Sequence, residues 1–537
     1  MITPKLKKMS RFRRHFIAAA LVLPLIAGAF VQQSQGSLES ARLLEQVMQL
    51  VSNRFVDTLN DAQLYEKAAR GLVHELNDPY TTLLSPRELS NFNAQTGGRY
   101  GGIGMEIAEV NGFVTVQKVF PHTPAEGAGV QEGDRIAVID TVQVRGWTVT
   151  QVSDALKGTP GTRVSVQFQR PGVAEPIPVR FTRAIVHIPA VPYAIMLANS
   201  YGYIPLLQFN ETATKELSEA VQRLLSQGAK GIILDLRGNP GGILDEALTV
   251  SNLFLREGQE VASMRGRGTE PQTFVAREQP LSADLPLVIL QNGNSASGSE
   301  IVAGALQDHD RALIVGTTSY GKGLVQTVYP LNGGFALKMT TAKWFTPSGR
   351  SIQKERRLMP NGEFVEVAPD SLETEATRRE KPQYRSDAGR IVYGGGAITP
   401  DVIVRPDTLT TPEQRLVNAL APQGQIFGTT LYDYARELKS QVTPDFVFQP
   451  AWRQELYRRL TAAGVKVEPE PYNEGATEID RILRDRIAVV AFGDSTALRR
   501  SVSEDTQLLR AIELLGRGRT QQDLFAIARS LAAAPKE

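Results

Sequence analysis

The sequence predicts an α/β multidomain protein: N-terminal helices, a small β-rich domain, an α/β core and a helical C-terminal extension. Its 537 residues exceed what one hydrophobic core usually organises. Apolar spacing is helical at both ends, and between 202 and 404 strand-length apolar runs alternate with helical ones. A 42% apolar content is ample for packed cores and excludes a disordered or fibrous chain.

At the N-terminus, Lys5, Lys7, Lys8, Arg11, Arg13 and Arg14 lie in a stretch without Asp or Glu, followed by an apolar run over 16–31 and then Gln32, Gln33, Ser34 and Gln35. This is a secretion-signal layout over 1–36, its apolar core shorter than an ordinary spanning helix, with small residues at Ala27, Gly28 and Ala29. Cleavage and retention as an anchor to the cytoplasmic membrane both remain open, and either places the body outside the cytoplasm, periplasmic or secreted. Setting those six aside from the 59 Lys and Arg leaves 53 bases against 57 acids, with no basic footprint for nucleic acid. The chain has no cysteine, which excludes disulfides and thiol catalysis.

Two amphipathic helices follow in 37–96, one with Leu44, Val47, Met48 and Val51 on a stripe, the other with Leu64, Ala68, Gly71 and Leu72. Pro79 ends the second. From 97 to 188 short β-branched runs at Phe113–Val119, Arg135–Ile139 and Arg163–Gln169 are punctuated by glycine, with a short helix over 149–157. The α/β core, 189–405, places strands at 202–207, 231–236, Leu287–Gln291 and 312–315, and helices at 215–227 and 299–306. An irregular, charged stretch, 353–390, reads as a surface insertion. From 406 to 537 the pattern is helical, for example Leu508, Leu509, Ile512 and Leu515.

The chemistry starts at Asn294-Ser295-Ala296-Ser297-Gly298-Ser299-Glu300, which joins a buried strand to a helix. A serine there lies beside helix N-terminal amides, donors suited to an oxyanion. Taken alone, the segment also reads as an ordinary capping turn. Of the five histidines, His15, His74, His122 and His187 lie in or beside other regions, and His309 is about 18 Å down an intervening helix at 1.5 Å per residue. A Ser-His-Asp triad is therefore not supported. A desolvated lysine can replace histidine, because burial disfavours the ammonium. Lys322, in Thr318-Ser319-Tyr320-Gly321-Lys322-Gly323, has Gln326 four residues on, placed to hold it. The third piece is Asp235-Leu236-Arg237-Gly238-Asn239-Pro240-Gly241-Gly242, at the C-terminal end of a strand, where open α/β sheets gather ligand sites. The amide of Gly241 or Gly242 is the candidate second oxyanion donor beside that of Gly298.

These three segments, in this order and spacing, resemble the carboxyl-terminal processing (tail-specific) serine peptidase family. The likeness runs from Leu38 to about Val404 and includes Asp78-Pro79-Tyr80 and Thr346-Pro347-Ser348-Gly349-Arg350-Ser351-Ile352-Gln353. The resemblance implies a serine endopeptidase with Ser297 as nucleophile, Lys322, 25 positions later, as base, and Gln326 as the residue that orients it. Gly298 departs from the alanine common there, while keeping the amide. Ser295 and Ser299 remain rival nucleophiles, with the spacing favouring Ser297.

Tyr100-Gly101-Gly102-Ile103-Gly104-Met105 and Pro124-Ala125-Glu126-Gly127-Ala128-Gly129-Val130 make the β-rich region resemble a PDZ domain. Such a domain adds a ligand's C-terminal strand to a sheet edge and captures its carboxylate on loop amides. Gly101, Gly102, Ile103 and Gly104 are the expected nest, with Met105, Val152 and Leu156 as walls of an apolar slot or else ordinary core residues. Expected partners are proteins or peptides with exposed C-termini; the helical regions are candidate homodimer surfaces, and an adaptor protein is a candidate partner. No metal or other cofactor is expected. The alternative is a catalytically inactive PDZ scaffold of the cell envelope. A phosphate loop fails, because Gly323 stands where the motif needs a Ser or Thr directly after Gly321-Lys322.

Overall fold

The computed structural model describes residues 41–533 except 111, 171, 198–199, 269, 360–363 and 367–374. The signal segment expected over 1–36 lies outside the described residues. The chain divides into two compact units, 1–83 and 84–537. In the first, residues 41–54 are helical. A second helix, Asp61–His74, starts on a capping box in which Asn60 Oδ1 accepts the Gln63 amide (2.9 Å) and Gln63 Oε1 accepts that of Asn60 (3.3 Å).

The second unit begins with the helix Pro86–Thr96, and the β-rich domain follows. Met105–Val110, Phe113–Val119, Arg135–Ile139, Arg163–Gln169 and Ile177–Thr182 form one antiparallel sheet, in that order, with the helix Val149–Leu156 packed on its core. A two-strand ribbon, Arg99–Gly102 against Ala184–His187, brings the chain in and out of the domain.

The α/β core is a six-stranded sheet whose order follows the sequence: β1 (Ile195–Met196), β2 (Gly202–Pro205), β3 (Ile232–Asp235), β4 (Leu287–Gln291), β5 (Leu313–Gly316) and β6 (Val402–Ile403). Every pairing is parallel except β1 with β2. β2 to β5 are buried along their whole length, as a sheet covered on both faces requires. On one face lie α1 (Ala213–Ser226), α2 (Leu244–Asn252) and α3 (Gly298–Asp308), packed on Ile232, Leu234 and Ile289. On the other, Ile233, Val288 and Leu290 meet α4 (Thr506–Arg517) and α5 (Gln521–Ala533). Adjacent residues of one strand thus face opposite layers, and the last two helices of the C-terminal region complete the core. The helices between 411 and 501 pack around a cluster of their own that includes Leu431, Trp452, Leu456 and Leu483.

A second, antiparallel arrangement was not foreseen from the sequence. Ala336–Phe345 pairs with both Leu324–Pro330 and Glu260–Gly266, and the latter with Gln272–Val275. Residues 353–390, expected to be irregular, contain the hairpin Arg356–Leu358 with Phe364–Glu366, the helix Glu375–Arg379 and the strand Gln383–Arg385, which pairs with Ile391–Tyr393. Arg378 from this stretch is buried, donating to the Pro400 carbonyl at 3.0 Å, and Arg390 pairs with Asp310 (2.9 Å) and Asp401. Charged residues that read as a solvated surface are instead used to fasten the insertion to the end of α3.

Candidate active site

Three loops follow the C-terminal ends of the adjacent parallel strands β3, β4 and β5, so parallel pairing alone brings them to one sheet edge. They carry Gly241 and Gly242, then Ser297 and Gly298, then Lys322.

The loop after β4 turns into α3 at Ser297, whose backbone has φ +52 and ψ −110. An ordinary capping residue is extended there, so this serine is held in a strained conformation that non-glycine residues rarely adopt. It is half-buried, whereas Ser295 and Ser299 are each 1% exposed. Their hydroxyls are spent on structure: Ser295 Oγ donates to the Leu236 carbonyl (2.8 Å) and Ser299 Oγ to that of Asn239 (3.0 Å).

The turn after β3 runs directly against Ser297. A Cβ on Gly241, at φ +95, would lie 2.8 Å from Ser297 Cβ and 2.9 Å from the Gly298 nitrogen, so only glycine fits. Asn239 locks the turn: its side-chain nitrogen donates to the Leu206 carbonyl (2.7 Å), and its own carbonyl accepts the Ala296 amide (2.9 Å). Asn239 Oδ1 also accepts the Gly241 amide at 2.8 Å. Of the two glycines proposed from sequence as the second donor, Gly241 therefore has its N–H already engaged. The amides of Gly242 and Gly298 have no acceptor among the described residues.

Lys322 precedes the strand Leu324–Pro330, and its Nζ donates to Gln326 Oε1 at 3.4 Å. The ladder shifts register between Val325 and Gln326, the extra residue being Thr341 of the partner strand. The lysine loop is joined to the serine loop by the Tyr320 amide, which donates to the Ser295 carbonyl at 2.9 Å, and by Glu300, on the first turn of α3 and completely buried. Its Oε2 accepts the amides of Ser297 (2.9 Å) and Lys322 (2.8 Å), while Oε1 accepts the Gly321 amide and the Ser319 hydroxyl (2.6 Å each). Burial pushes this carboxyl above the ordinary range, although the four donors oppose that. Glu300 was visible only as a member of the motif; three of its partners lie 19 to 22 residues on. His309 ends α3, with one ring nitrogen 2.6 Å from the Glu260 carbonyl oxygen and the other 2.7 Å from Asp387, far from the serine as expected.

The sequence model of peptidase family S41 matches residues 200–370, that of the PDZ domain 93–169, and that of the activating protease CtpB N-terminal domain 27–86. The carboxy-terminal-processing protease of Bartonella bacilliformis is 37% identical over 343 residues, which cover 63% of this chain and 78% of that one. The corresponding protease of Synechocystis is 33% identical over 419 residues, or 73% of this chain and 96% of its own. This chain belongs to the carboxy-terminal processing proteases. A solved photosystem II D1 C-terminal processing protease, 28% identical, covers 67% of this chain and 86% of its own with a TM-score of 0.37. As a member of the family the chain is a serine-type peptidase carrying a PDZ domain.

In this processing protease the PDZ domain has a slot of about 50 Å³ lined by Tyr100, Gly102, Ile103, Gly104, Met105, Ile107, Ser153, Leu156 and Lys157. Four sequence-chosen residues beside Leu156 are thus on the groove, but two others are not. Val152 is 0% exposed in the domain core, because the helix turns that position fully inward, and Ser153 faces the slot instead. Gly101 is held away from it by ribbon pairing with Ile185 and by its carbonyl accepting the Gly158 amide at 3.0 Å. The amides of Ile103 and Gly104 have no acceptor among the described residues. Tyr100 stands in the slot with its hydroxyl bonded by the Met105 amide, and burial pushes its phenol up to about 12. Ile107 had a sequence signal: it lies two residues from Met105, on the same strand face.

Proposed function

We propose that this processing protease cuts extracytoplasmic proteins by a Ser297–Lys322 dyad after its PDZ domain has captured their C-terminal tails. The observation that carries the reading is the strained Ser297, tied through one buried carboxylate to the backbone of Lys322. Neutral Lys322 takes the proton of Ser297 Oγ as the oxygen attacks the scissile carbonyl. The tetrahedral oxyanion is met by the amides of Gly298 and Gly242, and Gln326 keeps the lysine amine aimed at the serine. The C–N bond then breaks as the Lys322 ammonium returns its proton to the leaving amine, giving an acyl-enzyme. Lys322 next deprotonates a water that attacks the ester, and serine is regenerated.

Capture is assigned to 97–188 and cleavage to 189–405. Open amides at Ile103 and Gly104 beside the apolar Met105, Ile107 and Leu156 suit a terminal carboxylate with an apolar side chain. Lys157, 5.6 Å from the Tyr100 ring centre, adds positive charge at that end. The basic and apolar N-terminus supports export, with the segment either cleaved or kept as an anchor. Homodimerisation through the helical regions and delivery of substrate by an adaptor belong to the same proposal.

The test is cleavage of an unstructured peptide with an apolar C-terminus by wild type, Ser297→Ala and Lys322→Ala. Both variants are expected to lose at least about 10³-fold in kcat while still binding the peptide. Wild-type cleavage by either variant overturns the dyad, and an inactive wild type on every such peptide favours a scaffold.

A further inference from the structure

The turn Gly238 to Gly242 is fastened on its inner side by Asn239, but its outer side is held by a residue from the far end of the chain. Arg237, the second residue after β3, reaches the start of α4. Its Nη2 donates to Asp505 Oδ2 at 2.7 Å and its Nη1 to Asp505 Oδ1 at 2.9 Å and to Gln507 Oε1 at 3.2 Å. The same guanidinium grips Asp235, with Nη2 2.6 Å from Oδ2, and Asp235 in turn accepts the Tyr203 hydroxyl at 2.6 Å. Side-chain exposures of 7% for Asp235, 19% for Arg237 and 24% for Asp505 make this a largely desolvated pair of charge contacts. A two-pronged guanidinium–carboxylate contact fixes direction as well as distance.

We propose that Asp505, at the start of α4, is a positioning residue for catalysis, which holds Arg237 and through it the turn that presents the second oxyanion amide. The inference rests on the reading of Gly242 and Gly298 as the oxyanion donors. The path is short. Arg237 is covalently followed by Gly238, whose amide donates to Asn292 Oδ1 (3.0 Å), and by Asn239, whose carbonyl holds Ala296 beside the nucleophile. Asp505 itself is fixed, because its Oδ1 also accepts the Leu508 amide at 2.9 Å as the N-cap of α4. α4 is packed on the second face of the sheet through Leu508, Ala511 and Leu514. The C-terminal region therefore supplies a rigid outer wall to a turn that lies inside the S41 match, although that match ends at residue 370, well before Asp505.

Removing an oxyanion donor typically costs about 10²- to 10³-fold in kcat, and a displacement of about 1 Å costs up to about 10²-fold. Asp505→Asn keeps a good N-cap but loses the charged fork. We expect it to lower kcat by about 10- to 100-fold with KM changed less than about twofold, and to weaken inhibition by a peptide aldehyde by a similar factor, because that inhibitor's tetrahedral adduct uses the oxyanion amides. Asp523→Asn, at another helix cap where Asp523 accepts the Arg519 and Thr520 amides (2.9 Å each), is the control and keeps wild-type kcat. Should Asp505→Asn fail to fold, Asp505→Ser, which also keeps a good N-cap without the charged fork, reads the same loss and overturns the role on the same outcome. Ser297→Ala, assayed alongside, decides the site assignment separately. With Ser297→Ala inactive, an Asp505→Asn enzyme at wild-type kcat and aldehyde affinity, or one whose loss the Asp523→Asn control shares, overturns the positioning role and leaves the dyad standing.

Discussion

Replacing Glu300 is the perturbation whose cost can be worked out most completely. Its carboxylate accepts three backbone amides and one hydroxyl, all inside the protein. In Glu300→Gln the favourable orientation keeps the carbonyl oxygen on Ser297 and Lys322. The new NH2 group then faces Ser319 and Gly321. Ser319 Oγ already accepts the Ile398 amide (2.7 Å) and can accept a second bond, but the Gly321 amide is left facing another donor. One buried unsatisfied donor costs about 1–3 kcal/mol. Glu300→Ala leaves all four donors unpaired, about 4 kcal/mol or more where water does not replace the carboxylate. Thermal unfolding should therefore fall by a few degrees for Gln and by much more for Ala, at about 2–4 °C per kcal/mol for domains of about 150–250 residues. Peptide cleavage should fall too, in kcat rather than KM, because the hydrogen bonds removed are those that hold Ser297 against the Lys322 loop. An Ala variant with wild-type melting temperature and kcat would refute this reasoning.

Gly241→Ala puts a methyl group within 2.9 Å of Ser297 Cβ, the Ala296 carbonyl oxygen and the Gly298 nitrogen. It is expected to lower kcat at least about 10²-fold through misplacement of the nucleophile, read by steady-state kinetics. Ser299→Ala deletes one buried hydrogen bond and Ser295→Ala two, to the Leu236 carbonyl and from the Asn292 amide, so the urea midpoint should fall by an amount worth about 1–2 kcal/mol for the first and more for the second while cleavage persists. For Tyr100 the folded phenol lies near 12 against an ordinary value of 10, so its contribution to stability is full below pH 10 and lost as pH rises toward 12. Wild type should lose about 1.4 kcal/mol more than Tyr100→Phe between pH 9 and 11 in urea unfolding, and equal losses would contradict the buried phenol.

The serine, the lysine and the glycine-rich turn were legible because each sits in a contiguous motif after an apolar strand, and parallel strands deliver such loops to one edge. Glu300 was not, since its importance comes from four donors that only the folded loops bring together. Arg237 and Asp505 are 268 residues apart, and neither carries a local pattern that names the other. The helical period of Leu508 and Leu515 was clear, but not that this face covers the core sheet. The strand Leu324–Pro330 escaped notice because none of its residues is buried and it shows no clean alternation of apolar and polar residues. Val152 shows the limit of a helix stripe: periodicity identifies the inward side, but not which inward residue lines a groove.

The most direct test of the dyad is acid-quenched mass spectrometry of the enzyme mixed with an activated ester of a peptide with an apolar C-terminus. An acyl group should appear on the fragment carrying Ser297, map to that residue, and be absent from Ser297→Ala. Its formation should slow at least about 10³-fold in Lys322→Ala and in Lys322→Arg, whose guanidinium keeps its charge but cannot act as a base. Acylation of Ser295 or Ser299, or wild-type acylation rates without Lys322, would contradict it.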